Sequence, residues 1–164
     1  PSLQVSDLTG KPLHLPRGSL LLIGGDLAYP DPSPDSYERR FFRVFQDAMP
    51  PPPDYDPAAL SATKPDLPAG VSLARYGGPS CFAIPGNHDH FDSGQTFLRH
   101  IRDRDWLGGW LMPQGMSYWA LRLPRGWWVL GMDLSLEDDI DVEQFRFFAR
   151  VADHMGPDDQ AIVI

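Results

Sequence analysis

Two short stretches of this sequence combine residue types that perform acid–base and metal chemistry. Gly24-Gly25-Asp26 follows the apolar run Leu20-Leu21-Leu22-Ile23, and Gly86-Asn87-His88-Asp89 follows Cys81-Phe82-Ala83-Ile84-Pro85. Each reads as a buried strand that stops at a glycine and presents polar side chains beyond its C-terminal end, the edge where open α/β sheets place their ligands. Asp26 offers hard anionic oxygens, and one carboxylate can bridge two cations about 3.5–4 Å apart. Asn87 offers a neutral carbonyl oxygen that completes a metal shell without adding charge. His88 is an acid or a ligand, and Asp89 is placed to orient or charge-stabilise an imidazole. Taken singly, Gly-Asp also suits a turn or a helix cap, Gly-Asn a turn, and His-Asp a solvated surface pair. The full four-residue string at a strand end is far more specific.

The elements that must position these groups follow from periodicity and capping. Residues 19–24 predict a buried strand. Ser33 and Pro34 have the form of an N-cap and a first helical position, and Tyr37, Phe41, Phe45 and Ala48 then fall on one helical stripe. The prolines at 50–53 end that helix. Positions 50–79 form a Pro-, Asp- and Gly-rich loop, read as a solvated insertion or a substrate-shaping lid. After the strand at 80–85, a second helix begins near Asp92 or Ser93, carries Phe97, Leu98 and Ile101, and breaks at Gly108-Gly109. Residues 117–123 and 127–132 read as strands joined in a hairpin at Pro124-Arg125-Gly126. Asp141 caps a helix with Phe145, Phe148, Ala149 and Ala152 facing inward, and 161–164 is a last strand. Residues 1–18 read as an approach segment with turns near Gly10 and Gly18. The order predicts an α/β layered fold.

Composition narrows the function classes. The chain has 164 residues, 42% hydrophobic and 12% aromatic, which excludes a disordered chain and fits one domain or part of one. A net charge of −8 disfavours nucleic acid and anionic membrane as partners, although bound cations can reverse the local field. Cys81 is the single cysteine, so no internal disulfide forms. No run approaches the roughly 18 apolar residues of a membrane span, and no signal-peptide pattern is present. These features lead to an expected cytoplasmic location.

Gly25-Asp26 followed by Gly86-Asn87-His88-Asp89 resembles the calcineurin-like metallophosphoesterases. The likeness extends through 106–164, in Trp106 to Trp110, Trp127-Trp128, Gly131-Met132-Asp133 and the helix after Asp141. It implies the layered sandwich of that superfamily, with residues 1–164 forming the central part of one domain incomplete at both ends. It also implies a dinuclear centre of Mn, Fe or Zn and hydrolysis of a phosphorylated substrate. Asp26 would bridge both metals, Asn87 would ligate one, His88 would protonate the leaving group and Asp89 would hold His88. Gly25-Asp26-Leu27-Ala28-Tyr29 matches the Gly-Asp-x-x-Tyr form of purple acid phosphatases, which implies Tyr29 as an iron ligand; packing beside the site is the other reading. The superfamily's first block and its two later histidine blocks have no counterpart here, so weak metal binding and little activity are expected of this chain alone. A phosphodiesterase of the same fold and a non-catalytic scaffold are the alternatives. His90 reads as a loop residue or a pocket wall, and His14, His100 and His154 as surface residues. Phe41, Phe45, Trp127, Trp128 and Phe148 read as core, Asp133 has no metal role, and Glu137-Asp138-Asp139 is a solvated run.

Overall fold

A computed structural model of the protein describes residues 2–58, 77–134 and 139–164. Positions 59–76 of the proline-rich loop, and Glu137 and Asp138 of the acidic run, lie outside the described residues. Strands β1 (Ser2–Ser6) and β2 (Pro12–Pro16) pair as an antiparallel hairpin, so the approach segment is a ribbon rather than a coil. Strand β3 (Leu20–Gly24) leads through the Asp26 loop into a helical stretch made of α1 (Pro34–Ser36), a π-helical segment (Tyr37–Phe42) and α2 (Arg43–Ala48). Ser33 caps it through its hydroxyl to the Ser36 amide, with Pro34 at the first turn. Strand β4 (Ser80–Ile84) pairs parallel with β3. A second helical stretch follows, α3 (Gln95–Phe97) running into a π-helical segment (Leu98–Arg102). Gly108-Gly109 then turns the short hairpin of β5 (Trp106–Leu107) and β6 (Trp110–Leu111). Strands β7 (Trp119–Leu123) and β8 (Trp127–Gly131) are antiparallel, and after α4 (Val142–Ala152) strand β9 (Gln160–Val163) lies parallel to β8.

The protein is therefore mixed α/β. The larger sheets run β3-β4-β6-β5 and β7-β8-β9. Alternation along two central strands stacks the layers, because successive side chains point to opposite faces. All five residues of β4 are buried. Cys81 and Ala83 pack with Tyr37, Phe41, Phe42, Phe97 and Ile101 of the two helical stretches. Phe82 and Ile84 point the other way, onto Trp119 and Val129 of the second sheet. On the far face of β8, Trp128 packs with Phe147 and Val151 of α4. The resulting order is helices, sheet, sheet, helix. Only Ser80 of β4 registers with β6. Further along that edge, side chains satisfy the Ala83 peptide: its N–H donates to Gln114 Oε1 at 2.7 Å, and its carbonyl accepts from Gln114 Nε2 and Trp119 Nε1, each at 2.9 Å. Buried backbone groups require such partners.

Three expectations about faces are corrected. In α4, Asp141 caps as predicted by accepting from the Gln144 amide, but the buried residues are Gln144, Phe147 and Val151, and Phe145 is 62% exposed, with Ala149 and Ala152 outward. The Gln144 side chain bonds both the N–H and the carbonyl of Asp133, at 2.8 and 2.7 Å, and this sets the rotation of the helix. Trp127 is likewise partly exposed, at 38%. His100 is buried rather than at the surface, because Thr96, Phe97, His100 and Ile101 share the face turned to the core. Its Nδ1 lies 2.8 Å from the Thr96 carbonyl, its ring packs on Tyr37 and Phe42, and its Nε2 lies 3.5 Å from Glu38, which also pairs with Arg104.

Burial pulls the His100 pKa below its ordinary value. The unfolded chain therefore takes up this proton at higher pH than the folded one. The contribution to stability is complete above the ordinary imidazole pKa of 6.5 and is lost as the pH falls below it. Urea denaturation at about pH 7.5 and about pH 5.5 should show a loss of stability on acidification that is smaller in His100→Gln.

Candidate functional site

The parallel register of β3 and β4 aligns Gly24 with Ile84, so the two loops leave the sheet side by side. Gly25 turns the first loop at φ +90°, and Asp26 continues it at φ +51°. The loops touch so closely that side chains are excluded. A Cβ on Gly25 would lie 2.6 Å from the Gly86 nitrogen, and one on Gly86 would lie 2.3 Å from Asp26 Oδ1. That same Oδ1 accepts the His88 amide at 3.1 Å. Asp26 and the Gly86–Asp89 string thus converge, as the paired motifs require. Asn87 precedes the 3₁₀ turn His88–His90; its side chain is exposed and makes no capping bond.

Asp89 has a different job from the one the resemblance implied. Its carboxylate is 1% exposed and accepts from the Gly86 N–H at 2.8 Å, the Leu27 N–H at 3.2 Å to each oxygen, and the Tyr37 hydroxyl at 2.5 Å. Burial, and then the facing Asp89, push the Tyr37 pKa well above the usual tyrosine range, so the hydroxyl remains a donor. Asp89 therefore ties the two loops to each other and to the first helical stretch. It orients His88 only through the backbone.

The His88 ring is held by a carbonyl. Its Nδ1 lies 2.7 Å from the Pro30 oxygen. A carbonyl only accepts, so Nδ1 carries the hydrogen and Nε2 is left without one in the neutral ring. Two aromatic rings lean on the imidazole: Tyr29 with centroids 4.3 Å apart and Phe91 at 4.5 Å. Arg40 Nη1 donates to the Tyr29 carbonyl at 2.8 Å and fastens that loop to the helix.

A second polar chain reaches the same turn from the other sheet. His90 Nε2 lies 2.8 Å from Asp133 Oδ1, with both side chains largely buried, and the Asp133 backbone is gripped by Gln144. His90 and Asp133 line a cavity of about 140 Å³ with Ser93, Ser117 and Phe97. The sequence reading missed this link and the Tyr37–Asp89 bond. A signal for the first was present, since Asp133 also follows an apolar strand closely. His14 and His154 are exposed.

The donors suit a hard or borderline cation in part. Asp26 is exposed and, among the described residues, its second carboxylate oxygen makes no hydrogen bond. A carboxylate and an amide oxygen are hard donors of the type that suits Mn; Fe or Zn would draw on imidazole ligands as well. Among the described residues, no three His, Cys, Asp or Glu side chains come together to hold a metal. The Tyr29 ring lies against His88, which favours the packing reading of that residue over the ligand reading. No family model, curated protein or solved structure matches the chain.

Every partner of Asp89 is a donor, so an amide there would set N–H against N–H. Asp89→Asn should lower stability by about 1–3 kcal/mol. In urea denaturation the double variant with Tyr37→Phe should cost less than the sum of the two single changes.

Proposed function

We propose that this chain carries part of the active site of a metal-dependent phosphoric ester hydrolase of the calcineurin-like metallophosphoesterase type. The observation that carries this reading is the convergence of Asp26 with the Gly86-Asn87-His88-Asp89 string at the C-terminal ends of two parallel strands. The helix–sheet–sheet–helix stacking supports it as the layered sandwich that the resemblance implies. Asp26 would bridge two cations and Asn87 would ligate one of them. When bound, the cations would neutralise phosphate charge and make water more acidic.

His88 performs the proton step. Its Nδ1–H is committed to the Pro30 carbonyl, which leaves Nε2 as the ring nitrogen for the reaction. A water oxygen bonds to phosphorus as the bond to the leaving oxygen breaks, and protonated Nε2 gives its proton to that oxygen. The proton released by the water returns the ring to its protonated form, so the net change is ester plus water to phosphate plus alcohol. Asp89 holds the Asp26 and His88 loops at fixed spacing, which preserves the alignment on which such a step depends.

In the full-length protein, Mn²⁺ should raise Tm, and p-nitrophenyl phosphate or its bis-ester should be hydrolysed. Asp26→Asn should remove the Tm shift and lower kcat by roughly 10²-fold or more. A protein that neither binds Mn²⁺ nor hydrolyses either ester is not a hydrolase of this type.

A further inference from the structure

We infer that this site takes phosphoric esters whose alcohol carries a flat aromatic ring; the inference rests on the hydrolase reading above. Tyr29 and Phe91 are each 58% exposed, and both lean on one imidazole, that of His88. Single exposed aromatic residues are ordinary, but two that flank one polar side chain put exposed apolar surface around it, the kind of surface that marks a ligand site. They come from different loops, and each loop is held. Arg40 fixes the Tyr29 carbonyl, and the Phe91 amide donates to the His88 carbonyl at 3.3 Å. The rings are therefore presented before any ligand arrives, which lowers the ordering cost of binding.

Their position selects the part of the substrate that they meet. His88 is the group that gives its proton to the leaving oxygen, so the alcohol bearing that oxygen must pass beside His88. The side chains that flank it there are aromatic, tilted by 44° and 49° to the imidazole, and both residues are more than half exposed. Such faces stack on planar rings largely without regard to their substituents, as aromatic side chains do with nucleobases. The alcohol is thus aromatic or heteroaromatic, a class that includes aryl, benzyl and nucleoside alcohols.

The test compares benzyl phosphate with butyl phosphate, and benzyl methyl phosphate with butyl methyl phosphate, in the full-length protein with Mn²⁺. The paired alcohols are of comparable acidity, so chemistry affects both members alike. Tyr29→Leu and Phe91→Leu should lower kcat/KM for the benzyl ester at least ten-fold more than for the butyl ester. Tyr29→Phe and Phe91→Tyr, which keep the rings, should preserve the wild-type ratio. Equal losses for the two esters would mean that the rings only brace His88, and would overturn the inference while leaving the hydrolase reading intact. Loss of the ratio in Tyr29→Phe would place the effect in the hydroxyl and overturn it too. Absence of hydrolysis of all four esters, with no Mn²⁺-induced Tm shift, would overturn both.

Discussion

The buried carboxylate of Asp89 is the constraint from which the organisation of the site follows. Three donors from three parts of the chain meet on it: the Leu27 amide, the Gly86 amide and the Tyr37 hydroxyl. Two parallel strands give two loops that start together, but nothing in a strand pair keeps those loops together beyond the sheet. A carboxylate that loses contact with water must accept hydrogen bonds from what replaces it. Here the replacements are the loops themselves, so burying Asp89 and assembling the site are one event. The close approach of Gly25 to Gly86 is the steric counterpart of that tie.

Around this centre the protein divides positioning from chemistry. Asp26 and Asn87 are exposed and His88 is half-buried, whereas the groups that hold this edge are buried or backbone: Asp89, the Pro30 carbonyl, and the His90–Asp133–Gln144 chain. That chain ties the His88–His90 turn to the second sheet and to α4, so both sheets contribute to fixing one turn. The hydrolase reading draws on this pattern, since a proton donor works only from a fixed place with a fixed tautomer. Two exposed aromatic residues, Tyr29 and Phe91, pack on the His88 ring at the same edge.

Much of the local structure was legible because its causes are local. Ser33 with Pro34, and Asp141 three residues before Gln144, announce helix starts through bonds that span a single turn. The hairpin at Pro124-Arg125-Gly126 and the strands ending at Gly24 and at Ile84 follow equally from short-range pattern. Where expectation and structure part, a distant partner decides. Phe145 and Phe147 lie two residues apart in a sequence with apolar residues on more than one helical stripe, and the grip of Gln144 on Asp133 selects the face that turns inward. His100 shares a helical face with Phe97 and Ile101, but its polar ring is accommodated there by distant partners, Glu38, Tyr37 and Phe42 of the other helical stretch.

The sequence by itself determined which residue types stand at the ends of two apolar strands, and hence that the α/β sheet carries carboxylate, amide and imidazole together at one edge. Only the tertiary structure decided what each of them does there. Adjacency in sequence suggested that Asp89 serves His88, but a side chain bonds to whatever surrounds it in space. Folding brought the Leu27 amide and the Tyr37 hydroxyl to Asp89 and the Pro30 carbonyl to His88. Those contacts span tens of residues, and no rule of spacing along the chain encodes them.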